Sequence, residues 1–174
     1  MTIAGKATIT LQDSPKNLRE LFDRQVEFAH MIFKKQGEIL PMWVGQDAEG
    51  ILYPMTAHIT DQEDKEQTIK AVREIFAKHN VVRCVAMIEA WMVTVDKDGN
   101  PGDIKPSKRP DREEVVWLLG EGLGQQSMTG YMKIVRNSDG KGSLQEITIL
   151  DDSEQIGGLF TDVLPRPQTG KTLH

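Results

Sequence analysis

The fifteen residues from Val81 to Val95, Val-Val-Arg-Cys-Val-Ala-Met-Ile-Glu-Ala-Trp-Met-Val-Thr-Val, are too apolar to lie at a surface on both sides. Side chains on a strand point alternately to opposite faces. Read as a strand, the even positions Val82, Cys84, Ala86, Ile88, Ala90 and Met92 form one wholly apolar face. The odd positions mix Val85, Met87, Trp91 and Val93 with the charges of Arg83 and Glu89. The stretch is therefore expected to be a central strand, with its even face in the core and its odd face half-buried.

The rest of the chain supplies partners for such a strand. Ser14-Pro15 has the form of a helix start, and Leu18, Leu21, Phe22, Val26, Ala29, Ile32 and Phe33 recur at helical spacing up to a stop at Gly37. Ile39–Val44 and Ile51–Ala57 flank a turn-rich segment, Gly45–Gly50, and read as an antiparallel hairpin whose Pro41 and Pro54 place it toward one side of a sheet. Thr60-Asp-Gln-Glu63 resembles a capping box, and Ile69, Val72, Ile75 and Phe76 give a second helix one apolar stripe. After the core strand comes a polar loop, 96–112, then strands at 114–119, 127–136 and 144–150 separated by Gly120-Glu-Gly-Leu-Gly124 and Asn137–Gly142. A short helix through Ile156, Leu159 and Phe160 and an extended tail, 164–174, end the chain, and residues 1–13 read as an N-terminal arm or edge strand.

The order helix, hairpin, helix, four strands, short helix implies one α+β domain spanning residues 1–174. Its single antiparallel or mixed sheet is expected to carry both long helices on one face. At 174 residues and 39% hydrophobic, one core is the natural content. The order is similar to that of roadblock and profilin-like domains and, in its first half, of JAB/MPN domains. That is a fold-level likeness and carries no function.

Composition narrows the function classes. A net charge of -5 with interspersed Lys and Arg argues against a nucleic-acid partner. Cys84 is the single cysteine and sits in the core strand, which rules out an intrachain disulfide framework and reads as a buried hydrophobe. No apolar run reaches the ~20 residues of a membrane span, and a cytoplasmic location is expected. His30, His58, His79 and His174 are scattered, so neither a metal nor an organic cofactor is expected. The metalloprotease members of the JAB/MPN domains carry His-x-His-Pro where this chain reads Met87–Met92. Gly120–Gly124 stands between two strands, not before a helix, and reads as a turn more readily than as an anion cradle.

One polar constellation remains: Glu89 in the core strand, Glu121 at the end of the next, and between them a loop with Lys108, Arg109, Asp111, Arg112 and Glu113. Salt bridges that pin a long loop are one reading; a ligand site on a rigid sheet is the other. Glu89-Ala-Trp-Met92 followed by Pro106-Ser-Lys-Arg-Pro-Asp-Arg-Glu-Glu-Val-Val116 resembles a group of bacterial and phage-borne proteins that pair an E-A-W-M strand with a P-S-x-x-P-D-R-x-E-V segment. The resemblance covers roughly residues 39–119 and implies only that strand and loop belong to one unit. Candidate binding residues are thus Glu89, Trp91, Arg109, Asp111, Arg112 and Glu121.

The sequence favours an interaction or assembly module over an enzyme. The alternative is a small-molecule-binding or hydrolytic protein built on Glu89, Glu121 and the Arg109–Arg112 loop. Two helices on one face would leave Met87, Trp91, Val93, Trp117, Leu119 and Tyr131 uncovered on the other. Aromatic and Met side chains are enriched at interface centres, so a homodimer, or a complex with another protein, is the expected assembly, with Arg83 and Glu89 at its rim.

Overall fold

The computed structural model describes residues 14–94, 106–139, 142–150 and 163–164. It shows two long helices and one antiparallel sheet of seven strands, an α+β fold. In chain order the elements are α1 (Leu18–Gln36), β1 (Met42–Asp47), β2 (Leu52–Thr56), α2 (Gln62–Lys78), β3 (Val81–Met92), β4 (Glu113–Gly122), β5 (Met128–Arg136), β6 (Gly142–Leu144) and β7 (Thr148–Ile149), with a 3-10 turn at Pro106–Lys108. The sheet runs β2-β1-β3-β4-β5-β6, and β7 also pairs with β5. The expected N-terminal arm, the final short helix and nearly all of the tail fall outside the described residues.

β3 is central, flanked antiparallel by β1 and β4. Both of its faces are covered, which corrects the expectation that the two helices share one face. α1 lays Leu18, Leu21, Phe22, Ala29 and Phe33 over the odd residues Val85 and Met87, with Val116 and Leu118 beside them. α2 lays Ile69, Val72 and Phe76 over the even residues Cys84 and Ala86, with Trp43, Met55 and Leu119. A strand covered on both faces is a near-continuous apolar run, which is what Val81–Met87 is. Beyond Met87 the cover thins. Ile88, expected in the main core with Cys84, is only half-buried, whereas Cys84 is 1% exposed. Register also moves Trp117 and Leu119 to the even face, opposite Ile88 and Ala86, so they do not share a surface with Met87.

Local chemistry sets the boundaries. α1 starts at Asn17, not Ser14: the Asn17 side chain accepts the Glu20 N–H at 2.9 Å, and the Glu20 carboxylate accepts the Lys16 N–H. Ser14 instead donates to the Gly50 carbonyl and accepts from the Gln46 amide, bolting the chain start to the β1–β2 turn. Gly37 ends α1 at φ 78°, as expected. Gly45–Asp47 continues β1 although its composition reads as a turn. A Cβ on Gly45 would lie 2.5 Å from the Phe76 ring, and the Gln46 side chain, 0% exposed, is held by Ser14, Gly50 and Arg83. Gly120–Gly122 likewise belongs to β4, since Gly120 faces Phe22 and Leu18 across the α1 interface.

Candidate functional site

Directly opposed residues in adjacent strands share a face, so the register places Glu89 and Trp91 of β3 on the α1 side, with Glu114 of β4 opposite Trp91. These residues sit where α1 has ended at Gly37. Backbone N–H and C=O groups freed there need partners. The Glu89 carboxylate accepts the Ile39 N–H at 2.7 Å. Arg136, the last residue of β5, donates to the Gly37 carbonyl and makes a two-pronged pair with Glu114 at 2.7 and 2.5 Å. One guanidinium thus joins the end of α1 to β4 and β5.

Glu89 is the less comfortable of the two carboxylates. Burial raises its pKa above the ordinary range; the Ile39 hydrogen bond pulls the other way, the nearby Glu114 adds to the rise, and Arg136 opposes it. Arg136 is already engaged by Glu114, and among the described residues the carboxylate of Glu89 accepts one hydrogen bond, that from Ile39.

Trp91 is 41% exposed, and the Arg112 guanidinium carbon lies 4.3 Å from the centre of its ring, a cation–π geometry. Arg112 also donates to the Ser107 carbonyl, tying the 3-10 turn back toward the start of β4, and among the described residues forms no ion pair. Arg109 and Asp111 pair with each other at 2.7 Å, and each shifts the other's pKa toward its charged form, Arg109 up and Asp111 down. Glu113 pairs with Lys133 of β5 at 2.6 Å.

The sequence-level constellation therefore divides. Glu89, Trp91 and Arg112 come together at one end of the sheet, and Arg109 and Asp111 close on themselves in the neighbouring loop. Glu121 is elsewhere: it lies opposite Cys84, five residues or about 16 Å along β3 from Glu89 at ~3.3 Å per residue, and on the α2 face. There its carboxylate accepts the N–H of Val163, a residue 1% exposed in the α2-side core. Glu121 holds the returning C-terminal segment and does not join the polar cluster. Sequence reasoning missed Glu114 and Arg136, whose pairing depends on strand register and on where α1 stops.

The described surface offers shallow clefts. One, of about 530 Å³, opens beside the first turn of α1 between Asn17, Arg19, Gln125 and Met128; another, of about 480 Å³, lies on the outer side of α1 at Phe28 and Met31. Neither touches the Glu89–Trp91 end. Among the described residues no group of three or more His, Cys, Asp or Glu is placed to hold a metal ion, and no helix is long and apolar enough to cross a membrane. No family model, no curated protein and no solved structure matches this chain.

Proposed function

We propose that this chain is a non-enzymatic interaction or assembly module, and that its simplest assembly is a two-fold homodimer formed through the free end of β3. The observation that carries this reading is Trp91, left 41% exposed with a guanidinium stacked on its ring. Trp and Arg are the side chains most enriched among the few residues that dominate binding energy at protein interfaces. Beside Trp91 and on the same face, the charged pair Glu114–Arg136 supplies the polar rim that such centres usually have. The reading keeps the expectation of a cytoplasmic protein with no nucleic-acid partner and no cofactor, for which the acidic balance and the lone buried cysteine speak.

Light scattering coupled to size exclusion tests it on the wild type and on Trp91→Glu. Wild-type protein at tens of micromolar is expected at the mass of two chains, and the variant at one chain with an unchanged far-ultraviolet circular dichroism spectrum. A wild-type mass of one chain ends the proposal.

A further inference from the structure

We infer that Glu89 and Arg112 are the two halves of an ion pair made between copies of this chain, so that the free end of β3 is its own partner surface. This inference rests on the dimer reading above and names the contact that would close it.

Three observations carry it. Glu89 is a half-buried carboxylate whose hydrogen bonding among the described residues ends at the Ile39 N–H, and Arg136, the cation that acts on it, is occupied by Glu114 and the Gly37 carbonyl. Arg112 is an exposed guanidinium whose partners are a backbone carbonyl and an aromatic ring, with no carboxylate among the described residues. Between these two opposite charges, unpaired among the described residues, stands the exposed indole of Trp91: it shares its strand face with Glu89 two residues before it and has the guanidinium of Arg112 over its ring, Arg112 entering just ahead of Glu113, which lies opposite Met92, one residue past Trp91.

The order along the surface is anion, indole, cation. A two-fold interface uses one patch on both subunits, so the patch must be complementary to itself. A two-fold axis passing near Trp91 reverses the order in the second copy. It sets indole against indole, the Glu89 of each copy against the Arg112 of the other, and satisfies four charges with two identical contacts. A partner with only basic or only acidic residues would satisfy one half of this pattern and leave the other desolvated. A charge left unpaired at an interface is costly, so the second copy fits better than an unrelated charged partner. The Arg109–Asp111 and Glu114–Arg136 pairs, already neutralised within the chain, add no net charge to oppose the approach.

The experiment is a double-mutant cycle on the full chain. Dimer dissociation constants are measured by sedimentation equilibrium for the wild type, Glu89→Gln, Arg112→Gln and the double variant, at low and high salt. Gln at position 89 keeps an acceptor for the Ile39 N–H, and Gln at the exposed position 112 keeps a donor for the Ser107 carbonyl while giving up the stacking on Trp91; circular dichroism checks that both variants fold. Each single change should weaken the dimer about tenfold or more, the double should be no weaker than the worse single, and added salt should weaken the wild type more than the double. A dimer whose constant ignores both substitutions, or in which their effects simply add, overturns the ion pair while leaving the dimer reading standing. A monomeric wild type overturns both.

Discussion

Gln25 sits at a position that works against stability. It lies on the buried stripe of α1, 6% exposed, and its amide oxygen has no hydrogen-bond partner among the described residues. A buried polar atom without a partner costs about 1–3 kcal/mol, while an apolar side chain of the same shape loses nothing comparable. Gln25→Met is therefore expected to raise stability by ~1 kcal/mol in a urea titration; an unchanged or lower midpoint at the same slope would contradict this account of the site. Glu89 opposes the fold in a pH-dependent way. Its folded pKa is raised, so its favourable contribution is complete below the unfolded value of about 4.3 and is lost as pH rises through the folded value. Wild type and Glu89→Gln should then melt alike in acid and separate toward neutral pH, with Gln the more stable in dilute solution. Equal melting temperatures at every pH would remove the burial argument. A half-buried carboxylate that costs stability in the isolated chain is also what an interfacial ion pair would leave behind when its partner is absent.

At the scale of elements, the assignment of the two helices to opposite faces of β3 makes neighbouring residues unequal. Met87, 1% exposed beneath α1, should lose about 2–5 kcal/mol on change to Ala, and half-buried Ile88 clearly less. Equal losses from urea denaturation would mean the faces are misassigned. Gly45→Ala places a methyl against Phe76 and Val81 in the α2 interface and should cost roughly 1–3 kcal/mol, part of which Phe76→Leu restores by making room. These positions also show what the sequence could and could not convey. The helical stripes, the Gly37 stop, the hairpin and the central strand are local patterns, and each was legible in residue spacing. Gly45–Asp47 and Gly120–Gly122 have the composition of turns and lie in strands, where Gly45 and Gly120 leave room for rings, Phe76 and Phe22, packed from helices far away in sequence. Which face each helix covers was not legible, since a run apolar on both sides fits either arrangement. The site divided for the same reason. Glu89, Trp91 and Arg112 are joined by a strand and the loop that returns to it, whereas the place of Glu121 follows from β4 extending three residues beyond its apolar run and from a tail contact 42 residues away.

For the whole molecule, the sheet edges bear on how copies of the chain can associate. Among the described strands, β2 at one edge carries Pro54, and the other edge is broken into the short β6 and β7. Both features blunt strand-to-strand pairing between molecules. Association through the exposed end of β3 needs no free edge. The most direct test of that association is proximity of Trp91 to its own copy. Val93→Cys in a Cys84→Ser background carries one cysteine two residues from an intact Trp91, and mild oxidation should trap a disulfide-linked dimer. Met31→Cys in the same background, at a position 58% exposed on the outer side of α1, should stay largely monomeric. Equal cross-linking at the two positions, or none at position 93, would contradict a two-fold interface centred on Trp91.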